Sequence, residues 1–156
     1  MFKIKSTLKI ANKAPSMPDQ DISHYLAYLL ASANRRMNFS LAQSIAPEEV
    51  SAEHWRILHV LSDEKGRSMG ELAELVLLYH PAMTKNIDKL VSRGLVHRAA
   101  DAKDSRRVLV YISDLGLETV ARLKKNVDAF HDSVADTLGA RKTEQLKRLL
   151  ESFINN

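Results

Sequence analysis

SMGELAELVLLYHPAMTKNIDKLVSRGLVHRAADAKDSRRVLVYIS, residues 68–113, changes its period once in the middle, and that change decides the fold. Ser68 and Glu71 stand three apart. At that spacing a serine hydroxyl accepts from the Glu71 amide while the carboxylate answers the Ser68 amide, so a short helix opens here and runs to about Leu77. Leu78 to His80 read as a turn. Pro81 suits the first position of a second helix, where the amide it lacks has no partner to lose, and Gly94 ends that helix. Met83, Ile87, Leu90 and Val91 form its inward stripe, with Ala82, Lys85, Lys89, Ser92 and Arg93 on the outward face. The period then falls from 3.6 to 2. Leu95 to Ala100 and Val108 to Ser113 read as strands joined by the charged loop Asp101 to Arg107.

Helix, tight turn, helix and basic hairpin, in that order, make a winged helix-turn-helix. Upstream, Pro47 and Ser51 introduce a helix from Ala52 to Leu61 with Trp55, Leu58 and His59 facing inward. Before it, Asp21 to about Ala42 carries an apolar stripe of Ile22, Leu26, Leu29, Leu30, Ala33 and Met37. Its opposite face, with His24, Ala27, Tyr28 and Ala31, is too small and apolar for a solvated surface, which predicts burial on both sides and a partner subunit to supply the second. Downstream, Ser113 caps a long helix to about Leu138, Gly139 breaks it, and Arg141 to Ile154 forms a last helix with Leu146, Leu149, Leu150 and Phe153 inward. The expected fold is mainly α with a small β-hairpin wing, the long N- and C-terminal helices forming a dimerisation region. The expected division is a basic N-terminal arm at 1–20, a dimerisation helix at 21–46, a winged helix-turn-helix DNA-binding domain at 47–113 and C-terminal dimerisation helices at 114–156.

Composition narrows the function. The chain has 156 residues, 45% of them hydrophobic, which suits one globular unit that buries a core. The absence of cysteine excludes disulfides, thiolate metal sites and cysteine-based redox sensing. No apolar run approaches the ~18 residues of a membrane span, and residues 1–20 lack the apolar core of a signal peptide, so the expected location is cytoplasmic and no membrane partner is expected. The net charge of +4 is modest, but its distribution is not even. Lys3, Lys5, Lys9 and Lys13 stand in the arm with no acid, and His80 to Val110 carries seven Lys or Arg against three Asp.

These excesses fall where a DNA reader needs them. A helix entering a major groove about 12 Å wide needs short or cationic side chains on its outward face. Ala82, Lys85, Lys89 and Ser92 meet that need, Thr84 sits close to the helix start, where free amides favour phosphates, and Ser68 at the start of the preceding helix is counted with them. Planar guanidinium groups suit a narrow minor groove, which makes Arg106 and Arg107 the wing contacts. Asp104, two residues before Arg106, is placed to orient its guanidinium.

The stretch from Ser51 through Gly116 resembles the MarR family of bacterial regulators: SAEHWRILHVL, SMGELAELVLL, MTKNIDKLVSRGLVHR and DSRRVLVYISDLG in succession. Asp104-x-Arg106, followed by a strand and Ser113-x-x-Gly116, is the most specific part. The resemblance implies a homodimer in which each winged domain reads one half of a near-palindromic operator in double-stranded DNA. It also implies repression relieved by a small aromatic or phenolic effector, major-groove contacts from Ala82 to Asn86, and a minor-groove contact from Arg106. Two departures stand out. His80-Pro81 replaces a frequent Pro-Ser, removing a short polar contact, and Ser113 replaces a commoner Thr.

Other chemistry is weighed against this. The six histidines show no i, i+3 or i, i+4 pairing and no His-Glu-x-x-His, so no metal site and no cofactor are expected. His24 with Tyr28, and Trp55 with His59, are aromatic pairs one turn apart that could line an effector pocket, although ordinary packing explains them too. No nucleophile motif or glycine-rich phosphate loop supports an enzyme. The alternative is a winged-helix protein-interaction module without sequence-specific DNA binding.

Overall fold

The computed structural model describes residues 22–155, so the basic arm expected at 1–20 lies outside the described residues. The elements follow as a 3-10 turn Ile22–His24, α1 Leu26–Ile45, a 3-10 turn Ala46–Glu48, α2 Ala52–Leu61, α3 Met69–Val76, α4 His80–Ser92, β1 Val96–Ala100, β2 Val108–Ile112, α5 Asp114–Leu138 and α6 Ala140–Ile154. The chain divides into two compact units, 1–35 and 36–156, and the division falls inside α1. No described helix is long and apolar enough to cross a membrane.

Local signals start and stop the central elements. Ser51 caps α2 by accepting from the His54 amide, and Ser68 and Glu71 form the reciprocal capping box of α3. Bonded to the Ser68 hydroxyl and backbone amide, the Glu71 carboxyl is held below its ordinary pKa. Pro81 is the second residue of α4 rather than the first, because His80 already follows the extended Tyr79. Gly94 closes α4 in a left-handed conformation, φ 68°, with its amide bonded to Val91 and the Leu95 amide to Leu90, a Schellman end that an L side chain would strain. Ser113 caps α5 by accepting from Gly116. A Cβ on Gly116 would overlap the Leu95 carbonyl and the Ile112 side chain, so that glycine lets α5 start hard against the base of the hairpin.

β1 and β2 pair antiparallel with Arg98 opposite Val110. Arg67 adds a bridge to the other edge of β2, its amide donating to the Val110 carbonyl at 3.1 Å and the Val110 amide donating back at 2.8 Å. The turn at 63–67 is therefore also part of the wing. Asp63 grips the Arg67 guanidinium at 2.6 and 2.7 Å, and this contact holds the Asp63 carboxyl well below the usual carboxylate range.

Ile57, Leu58, Leu61, Leu72, Val76, Met83, Ile87, Leu90, Val96 and Val110 close one core among α2, α3, α4 and the hairpin. Ile45, Val50, Trp55, Leu123 and Val127 close a second among the end of α1, α2 and α5. The terminal helices differ from expectation. α1 starts at Leu26, after the 3-10 turn, and Ile45 is its only buried residue. The α6 stripe read as inward is not buried among the described residues: Leu146, Leu149 and Phe153 are exposed.

Candidate nucleic-acid interface

The α4 stripe Met83, Ile87 and Leu90 is fully buried, and this fixes which side of the helix remains outside. Pro81, Thr84, Lys85, Asp88, Lys89 and Ser92 line one shallow concavity of about 470 Å³ on that outer side. Thr84, Lys85 and Lys89 are thus brought together. Ala82 and Asn86 are not among them: both are half-buried on the flank, and the Asn86 amide donates to the Ala82 carbonyl at 2.8 Å. The Thr84 hydroxyl donates to the His80 carbonyl at 3.3 Å and keeps its lone pairs available. Ser68 is committed at the start of α3: its hydroxyl oxygen accepts from the Glu71 amide and its hydroxyl is bonded to the Glu71 carboxylate.

Asp88 is the one carboxylate in this concavity and was not among the residues expected there. Arg98 of β1 donates to it at 2.6 Å, which offsets its charge and ties the hairpin to the middle of α4. The two occur ten residues apart on different elements, so no local pattern in the sequence pairs them.

The wing corrects one expectation. Asp104 does not hold the Arg106 guanidinium; its carboxylate accepts from the Arg106 backbone amide at 3.1 Å, and its carbonyl accepts from the Arg107 amide at 2.9 Å. Asp104 therefore shapes the loop backbone, as Asx residues do when they bond two residues ahead. Arg107 is engaged by Asp101 at 3.6 Å and Glu71 at 3.9 Å, which ties the wing to the start of α3. Arg106 is exposed, and among the described residues no carboxylate lies within ion-pair distance of it.

Behind α4, sequence reasoning missed His54. It is only 7% exposed on α2, and neither ring nitrogen completes a hydrogen bond. Burial, then the charges of Lys89 and Arg93 on α4, push its pKa below the ordinary 6.5, with Glu53 and Asn86 opposing. The inward stripe Ile57, Leu58 and Leu61 lies three, four and seven residues on, and this spacing was a usable signal.

The four effector candidates are divided between the two units. Trp55 is buried and stacks on His59 at 5.0 Å, but His59 is exposed rather than inward. His24 lies in the 3-10 turn ahead of α1 and stacks on Tyr25, not on Tyr28. His24 and Tyr28 belong to the unit 1–35, Trp55 and His59 to the unit 36–156. A second concavity of about 400 Å³, between α1 and α5, is lined by Ser40, Ser44, Asn126, Ala129, Phe130 and Ser133, none of which was a candidate.

Comparison with known proteins bears on the same segment. Residues 49–107 match the family described as MarR family. The transcriptional repressor IacR of Pseudomonas putida is 22% identical over 129 residues, covering 83% of this chain and 77% of that protein. The transcriptional repressor CouR, solved on a 23-mer DNA duplex, superposes with a TM-score of 0.79 at 26% identity over 90% of this chain and 99% of its own. NadR, solved with 4-hydroxyphenylacetate, shares the fold at a TM-score of 0.69 and 24% identity, covering 88% of this chain and 97% of its own. The family match spans α2 to the wing loop and the fold match spans most of the chain: over residues 49–107 the protein is similar to the MarR family, and its fold is similar to that of the DNA-bound repressor CouR.

Proposed function

We propose that this protein is a homodimeric, sequence-specific DNA-binding transcriptional regulator of the cytoplasm, a repressor released by a small aromatic or phenolic effector. The observation that carries the reading is the convergence of Thr84, Lys85 and Lys89 on one exposed face of α4, with the uncompensated Arg106 at the tip of the adjoining wing. Lys85 and Lys89 reach phosphates and base edges of a major groove, and Arg106 enters the neighbouring minor groove. The two copies of α4 are spaced for successive major grooves, roughly 34 Å apart, on a near-palindromic operator.

The likeness to CouR, solved on DNA, and to IacR, a repressor, supports this assignment. For the effector, the support is the stacked Trp55–His59 pair on α2 and the fold shared with NadR, which was solved with 4-hydroxyphenylacetate. An effector releases DNA only to the extent that it binds the DNA-incompetent arrangement better.

The test is fluorescence anisotropy of the full chain against genomic fragments flanking its gene, at several salt concentrations. One fragment bound preferentially, with a log-log salt slope of about −0.9 per phosphate contact, is the expected result. Equal, weak binding to all fragments would sink sequence-specific reading and favour a protein-docking role for the same surface.

A further inference from the structure

The outward face expected of α4 included Arg93, but its guanidinium turns away from that face. Nη1 donates to the Glu49 carbonyl at 2.7 Å and Nη2 to the Glu48 carbonyl at 3.1 Å, across 44 and 45 residues of sequence. Those carbonyls belong to the connector between α1 and α2, where Glu49 adopts a left-handed backbone with φ 54°. Such a conformation costs a non-glycine residue free energy and persists where surrounding contacts impose it. From the other side, the Glu48 carboxylate accepts from Arg122 Nε at 3.2 and 3.3 Å, and Arg122 Nη2 donates to Thr119 on the same helix at 3.1 Å. One connector is thus gripped by Arg93, the residue that caps the C-terminus of α4, and by α5.

We propose that Arg93 is a positioning residue: it anchors the C-terminal end of α4 to the α1–α2 connector and, through Glu48 and Arg122, to α5, so that α5 and the DNA-facing helix move together. Its consequence for DNA rests on α4 being the recognition helix, while the anchor itself does not. The planar guanidinium fork is what reaches two successive carbonyls; a lysine ammonium keeps the charge but lacks the fork.

Hydrogen exchange of the full chain without DNA tests the anchor. Arg93→Gln and Arg93→Lys should both speed exchange at residues 46–50 and in the last turn of α4, and Arg122→Gln should speed it at 46–50. Exchange unchanged in the Arg93 variants overturns the anchor, and exchange unchanged in Arg122→Gln overturns its extension to α5. On the fragment that the unaltered protein prefers, Arg93→Gln should bind about tenfold more weakly, the size of a lost charged hydrogen bond, with the same salt slope and no rescue by Arg93→Lys. A slope smaller by about 0.9 with binding restored by Arg93→Lys would instead make Arg93 a phosphate contact and overturn the proposal. If the unaltered protein prefers no fragment, the DNA reading fails and the exchange result still decides the anchor.

Discussion

α4 and α6 are written to the same pattern and meet opposite fates. One has 13 residues and the other 15, and each carries apolar residues at helical spacing along one face. α4 seats Met83, Ile87 and Leu90 completely inside the chain. α6 buries nothing, leaving Leu149 62% and Phe153 67% exposed. An apolar stripe declares that burial is needed; the neighbours in the fold decide whether one chain can supply it. Covering a Leu or Phe side chain is worth about 1.5–3 kcal/mol, so the α6 row would favour association in the proposed dimer, where a second copy is the partner that fits.

The contrast can be broken most severely at α6. Leu149→Glu combined with Phe153→Glu should convert the dimer to a monomer in sedimentation velocity, and operator affinity should fall roughly 10²- to 10⁴-fold once the two half-sites are no longer bound together. The double variant remaining a dimer with full affinity would remove α6 from the interface. Leu90→Ala strikes the other side of the comparison. It should cost about 2–5 kcal/mol in urea unfolding of the winged lobe while leaving α6 pairing intact. A loss under about 1 kcal/mol would contradict the closed core beneath α4.

A smaller effect separates the outer face from the inner one. Arg106→Ala should weaken operator binding about tenfold and reduce the salt slope, whereas Arg107→Ala should do less, since Asp101 and Glu71 already engage that guanidinium. Equal losses from the two would mean that the ion pairs do not distinguish them. Lys85→Ala should shift sequence preference along with affinity, read from binding to operator variants.

The mildest test uses the buried histidine beneath α4. His54 is held neutral, its pKa below the ordinary 6.5 because of burial and the nearby Lys89 and Arg93. The unfolded chain therefore takes up a proton first as pH falls through about 6.5, and folded stability declines below that point. His54→Gln cannot charge, so its melting temperature should fall less between about pH 7.5 and about pH 5.5. Identical pH profiles would show that His54 is not what makes the lobe acid-sensitive.

The central elements were legible because their signals are local. The Ser68–Glu71 box, Pro81, Gly94 and the change of period at Leu95 act within a few residues, and the structure places helix, turn, helix and hairpin accordingly. The candidate site was legible in part. Helical spacing put Lys85, Lys89 and Ser92 on one face, but it also put Ala82 and Arg93 there, and it turned His59 inward while passing over His54. Spacing ranks positions around a helix to within about one residue, or 100°, which is too coarse to tell a flank from a face.

By itself the sequence determined the order and kind of the elements, the stripe each helix must bury and the concentration of positive charge on α4 and the wing. Only the tertiary structure decided which polar groups meet: Arg67 with Val110, Asp88 with Arg98, Arg93 with the Glu48 and Glu49 carbonyls, and Asp104 with backbone rather than guanidinium. The physical reason is range. Helix periodicity and capping are satisfied by neighbours three or four residues apart, whereas these contacts depend on how buried stripes pack, and packing brings together side chains the chain keeps up to 45 residues apart.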